Sequence, residues 1–119
     1  MQGHDDATLV CERRRPTSDE RDEVVAIGEI DIGSAPRLRN VLREAQARAR
    51  HVVLDLDGMS FIDANGARIL LAAEARARAT AGTFAIARPT PHVLRLLQLV
   101  GADRLLTTVE PQRSPQRLG

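Results

Sequence analysis

Three carboxylates, Asp55, Asp57 and Asp63, stand in the stretch VVLDLDGMSFID and invite an acid–base reading. Asp55 and Asp57 would share one strand face by the period-two rule, but solvation at a strand end accounts for them equally. No His or Ser is spaced to suggest a relay that would activate a nucleophile. Phosphate chemistry has no support either. Gly28, Gly33, Gly58 and Gly66 never fall into GxGxxG or GxxxxGK[ST] spacing, and the chain has no Lys to meet terminal phosphates. Weak nucleotide binding at a helix N-terminus stays open. Cys11 is alone, so it makes no internal disulfide and has no Cys partner at a metal, and His4, His51 and His92 show no ligand spacing. The expectation is a protein that is not an enzyme and needs no metal or cofactor.

One short stretch remains, FIDANG at residues 61–66, where an apolar run ends at Asp63 and a helical pattern begins within three residues. Asp63 or Asn65 there would accept hydrogen bonds from the orphan N–H groups of a first helical turn.

Composition limits what such a turn could meet. All 17 basic residues of the 119-residue chain are Arg, set against 16 acids, for a formal net charge of +1. That balance argues against nucleic acid and against a charged membrane surface. Arg13-Arg14-Arg15, with Asp19, Glu20, Asp22 and Glu23 close behind, reads as a solvated charged hairpin rather than a phosphate patch. Only 2% of residues are aromatic, and Phe61 and Phe84 both read as buried, so base stacking is all but excluded. No apolar run approaches the ~18–20 residues of a membrane span, and no leader pattern opens the chain. A cytoplasmic setting is expected from the cysteine usage.

The elements that must position residues 61–66 follow from periodicity. Thr8–Arg13 reads as an edge strand and Val24–Ile30 as a second strand, with the charged segment as their loop. Ser34 is placed as N-cap of a helix running to about Arg50, with Pro36 in its first turn. Leu38, Val41, Leu42, Ala45 and Ala49 form its buried stripe. His51–Asp57 is nearly all apolar, as a central parallel strand covered on both faces should be. A second helix spans Ala64 to about Ala81, burying Ile69, Leu70, Ala73 and Ala77, with Arg68, Arg76 and Arg78 outside and Gly82 as its stop. Thr83–Ala87 is another strand, residues 90–100 a third helix ended by Gly101, and Leu105–Val109 a last short strand. The order ββαβαβα(β) predicts an α/β domain with a four- to five-stranded mixed sheet and helices mainly on one face. Residues 1–7 and 111–119 are polar and expected to be disordered.

Three segments carry a family resemblance: VAIGEIDIGSAPRLRNVL, VVLDLDGMSFIDANGARILL and PTPHVLRLLQLVGADRLL. They resemble the STAS domain family, which includes the bacterial anti-sigma factor antagonists, over residues 8–110. DLDGMSFIDANG is similar to the family's DLSxxxFxDSSG, and Pro91, Val93, Arg95–Leu97, Leu99 and Gly101 form a second match. The resemblance implies a single STAS-type domain that binds an anti-sigma factor or serine-kinase-like protein and is released by phosphorylation of a Ser before the loop Gly. That position is Asn65 here, and the alternative acceptor position is Ala64. The switch is therefore degenerate, since neither carries a hydroxyl, and Ser60 lies outside the family's site. The implied partner-binding residues are Asp31, Asp63, Ala64, Asn65, Gly66, Arg68 and Ala72. Two other roles stay open: an accessory subunit of a lipid-transport ATP-binding cassette system, and a small-ligand or nucleotide sensor. A homodimer stays open too.

Overall fold

The computed structural model describes residues 9–18 and 20–107. The chain runs through β1 (Leu9–Ser18), β2 (Arg21–Ile30), α1 (Ala35–Arg48), β3 (His51–Ile62), α2 (Ala64–Ala79), β4 (Thr83–Ala87), α3 (Pro91–Leu99) and a short 3-10 turn at Asp103–Leu105. The expected disordered ends, 1–7 and 111–119, lie outside the described residues. The strands form one four-stranded sheet in the order β1-β2-β3-β4. β1 and β2 are antiparallel, while β3 runs parallel to both β2 and β4, as helical crossovers require. The sheet is therefore mixed, and the strand beginning at His51 is internal.

Its two faces differ. Register sets Val24 and Ile86 beside Leu54, and Phe84 beside Val52, and all five are buried. Leu38 and Leu42 of α1, Leu70 and Ala73 of α2, and Val93 and Leu97 of α3 join the same cluster. All three helices thus cover one face with an aliphatic core.

On the other face the reading of a solvated charged hairpin fails. β1 continues through the arginines to Ser18, and β2 already begins at Arg21. The carboxylates opposite are buried: Asp22 is 0% exposed, Glu23 2% and Asp55 1%. Arg13 Nε donates to both oxygens of Asp22 at 2.8 Å from the helix-side face. On the helix-free face Arg14 bridges Glu23 and Asp55, each at 3.2 Å, while Arg21 reaches Glu23 at 3.1 Å and Arg88 reaches Asp55 at 2.8 Å. Paired cross-strand charges let a charged sequence stay in a sheet. Asp55 is therefore a buried ion-pair member, not a solvated strand end, although Asp57 is exposed as expected and donates its N–H to Asp55 Oδ1 at 3.0 Å.

Smaller corrections have equally local causes. β3 runs on past Asp57 to Ile62, with register shifts against β2 that keep Met59 and Ile62 buried. Phe61, expected in the core, is 39% exposed and lies against the His92 ring with centroids 6.2 Å apart. Of the expected last strand, Leu106 makes a single bridge to Ile86 after the 3-10 turn, and residues 108 and 109 lie outside the described residues. Gly82 follows α2, but the left-handed position is Ala81, with φ 60. Gly82 answers to a close approach instead, because a Cβ there would lie 2.1 Å from the Arg50 carbonyl oxygen. Gly101 does end α3 with a positive φ of 74.

Candidate functional site

Parallel strands β2 and β3 end side by side, Ile30 opposite Ile62, and the Asp63 N–H closes the pair by donating to the Ile30 carbonyl at 3.1 Å. The two turns that leave these strands therefore emerge next to each other at the carboxyl end of the sheet.

The first turn is built by Asp31. Its Oδ1 accepts from the backbone N–H of Gly33 at 2.9 Å and of Ser34 at 3.0 Å, and from the Ser34 hydroxyl at 3.2 Å. Ser34 does stand at the N-cap of α1, yet its side chain makes no cap bond and points its hydroxyl at Asp31 and the Glu29 carbonyl. The Ser34 N–H foremost, then the Ser34 hydroxyl and the Gly33 N–H, hold the Asp31 carboxyl below its ordinary range. Between Asp31 and Gly33, Ile32 is left 76% exposed.

The second turn is capped by Asp63, not Asn65. Asp63 has extended backbone at the N-cap, and its Oδ1 accepts from the Gly66 N–H at 3.0 Å. Asn65 is a donor within this turn: its Nδ2 reaches the other Asp63 oxygen at 3.4 Å. Residues 64–66 are thus the first turn of α2 rather than a loop before it. Gly66 is buried there, and a Cβ on it would lie 2.6 Å from Ile62 Cγ1 and 2.7 Å from Ile30 Cγ2. Both isoleucines are fully packed, so they cannot swing aside. Gly66→Ala should gain ~1 kcal/mol of helix propensity and lose ~1–3 kcal/mol to overpacking. A net loss of up to about 2 kcal/mol is expected, read as a fall of up to several degrees in Tm; a rise in Tm would contradict the close packing.

The expected site residues fall into one neighbourhood with different degrees of access. Asp31, Asp63 and Asn65 are half-buried, Ala64, Arg68 and Ala72 are exposed at one-turn intervals along α2, and Gly66 is inaccessible. Gly66 shapes the surface without contributing a side chain to it. Sequence reasoning missed Ile32 and the exposure of Phe61. A signal for Ile32 existed, since an aliphatic residue inside an Asp-x-Gly turn has no helix or strand face on which to be buried. Ser60, exposed on β3, donates to the Gly28 carbonyl at 3.0 Å. Among the described residues the neighbourhood consists of two carboxylate-locked turns with the exposed Ile32 beside them.

A family model described as Mlab, STAS domain matches residues 14–108. Solved structures align over most of the chain. The anti-sigma factor antagonist SpoIIAA of Bacillus, in its unphosphorylated form, superposes with TM-score 0.72 at 17% identity, covering 92% of each chain. An anti-sigma factor antagonist from Mycobacterium paratuberculosis gives TM-score 0.74 at 22% identity, over 94% of this chain and 92% of that one. The murine anion transporter Slc26a9 contains a similar unit, with TM-score 0.61 at 14% identity over 72% of this chain and 14% of the transporter. At these identities the likeness is one of fold.

Proposed function

The chain belongs to the STAS domain family, and from that premise we propose that it is a non-enzymatic binding module of bacterial regulation. It docks on an anti-sigma factor, of the serine-kinase-like kind, through the paired turns at Asp31 and Asp63 and the exposed stripe Ala64, Arg68 and Ala72. The observation that carries this reading is the junction itself. Two turns already locked by their own carboxylates hold Ile32 out in water, an arrangement that binding would cover at little ordering cost. Such a module works in the cytoplasm, where its partner is; among the described residues no helix is long and apolar enough to cross a membrane.

Asn65 sets how the module is regulated. An amide has no oxygen nucleophile for a γ-phosphate, so the protein should bind its kinase-like partner without becoming its substrate. Incubation with the partner and ATP is expected to leave the intact mass unchanged. The Asn65→Ser variant restores a hydroxyl before Gly66, and the cognate kinase is then expected to add one phosphate at residue 65. A phosphate on the wild type, at Ser60 or Thr80, would contradict the loss of the switch. Tight binding to Asn65→Ser without modification would identify a partner that is not a kinase.

The fold also occurs as one unit of an anion transporter, and our second reading is an accessory subunit of a lipid-transport ATP-binding cassette system. The same junction would then dock on an ATPase. Pull-downs with an anti-sigma factor and with a transporter ATPase, each repeated with Asn65→Asp, separate the two readings by which complex is lost.

A further inference from the structure

Arg76 was expected on the outer face of α2, yet its Nη2 is sealed from solvent and has no hydrogen-bond partner. It lines an open cleft of about 370 Å3 between α1 and α2, together with Arg43, Gln46, Arg50 and the apolar Ala49 and Ala77. Gln46 fixes the arginine in place: its Nε2 donates to the Ala73 carbonyl at 2.7 Å, and its Oε1 accepts from Arg76 Nε at 3.0 Å. Arg50 is held by its backbone, where its carbonyl accepts from the Thr83 N–H at 3.1 Å under Gly82.

Among the described residues no carboxylate pairs with these charges. Arg39, Arg43, Arg50 and Arg76 make no ion pair among the described residues, and Glu74 of α2 is already engaged by Arg78 and Arg104. Burial foremost, then the charges of Arg43 and Arg39, push the Arg76 guanidinium below its ordinary pKa, as expected of an unopposed positive cluster. A surface arginine ordinarily keeps its head in water or pairs it. Arg76 is half-exposed, but its Nη2 is buried without a partner while Gln46 holds its Nε in place.

We propose that this cleft binds a phosphate group carried by a small soluble molecule. Three guanidiniums from α1, the turn into β3, and α2 supply planar forks suited to a tetrahedral dianion. The volume is at the low end of the ~300–1,000 Å3 typical of ligand sites, room for a phosphate with a compact body against the alanines. The cleft lies at the helix C-termini, so recognition rests on side chains and owes nothing to a helix N-terminus. Arg76 is eleven residues beyond Asn65 on the same helix, roughly 16 Å along its axis, so the cleft is separate from the proposed docking face.

The test titrates inorganic phosphate and phenyl phosphate into the full chain at constant ionic strength, by thermal melts and calorimetry. Both are expected to raise Tm saturably, phenyl phosphate at lower concentration. Arg43→Gln and Arg76→Gln should each weaken binding about tenfold or more, while Arg95→Gln on α3 leaves it unchanged. Arg43 is exposed, so its variant carries the test even if Arg76→Gln does not fold. Absence of a saturable response in the wild type would overturn the proposal, as would undiminished binding by the Arg43 variant. Binding to anionic phospholipid vesicles with no response to either soluble phosphate would also overturn it, in favour of a membrane surface. None of these outcomes bears on Asn65, so the two readings fail separately.

Discussion

Asp55→Asn is expected to destabilise the fold by about 2–3 kcal/mol at neutral pH. Its Oδ2 receives Arg88 at 2.8 Å and Arg14 at 3.2 Å, and its own side chain is 1% exposed. Removing one member of a buried pair typically costs ~3–5 kcal/mol, because the remaining charge is left without compensation. Here the arginines keep 28% and 34% of their side chains in solvent, so water takes over part of that compensation and the cost falls toward the lower figure. Burial pushes the Asp55 carboxyl up, but hydrogen bonds from Arg88, the Asp57 N–H and Arg14, with the Arg88 charge, bring it net below its ordinary 3.8. A folded-state pKa below the unfolded one stabilises fully above the unfolded value and is lost as pH falls through the folded one. Wild type and variant should therefore differ in urea midpoint at pH 7 and converge in acid below 3.8. Equal midpoints at pH 7 would mean that the ion pairs contribute nothing net.

This network also marks where sequence stopped being informative. The helices and the core of β3 were legible because their apolar residues repeat at 3.6 or run continuously, and burial of those residues decides the fold. Arg14, Asp22 and Glu23 were misread as a loop because local charge density says nothing of a partner across a strand. The decisive partner, Asp55, lies 41 residues from Arg14. The glycines failed similarly. Gly82 read as a helix stop and Gly66 as a partner-binding residue, whereas each answers to a contact between elements, with Ile30 and Ile62 for Gly66 and the Arg50 carbonyl for Gly82. At the candidate site the pattern FIDANG was enough to place a capped helix start beside a strand end. It could not decide between Asp63 and Asn65 as the cap, since both side chains are able to accept; backbone geometry gave the role to Asp63. Arg76 was placed outside by helical phase, which cannot register that Gln46 on another helix would hold it.

Asn65→Asp should separate folding from docking at this junction. In the free protein a carboxylate in the first turn of α2 gains ~0.3–1 kcal/mol from the helix dipole. It also loses the hydrogen bond to Asp63 and sets a second carboxylate beside the first, where Asn65 Nδ2 now stands 3.4 Å from Asp63 Oδ2. Like charges ~4 Å apart in water repel by ~1 kcal/mol, so the two effects nearly cancel and stability should move by less than about 1 kcal/mol. Docking behaves differently. The new charge must leave water against a surface that accommodates a neutral amide, and unmatched buried charges cost ~2–5 kcal/mol. That corresponds to roughly 30-fold to several-thousand-fold weaker binding. Asn65→Ala removes one weak hydrogen bond worth about 1 kcal/mol, so it should weaken binding no more than about fivefold. Calorimetry against the partner, beside thermal melts of each variant, reads the two quantities independently. Equal affinity of wild type and Asn65→Asp would place residue 65 outside the interface and remove the paired turns as the docking site. A large loss shared equally by Asn65→Ala would instead mean that the amide itself is recognised, with charge playing no part.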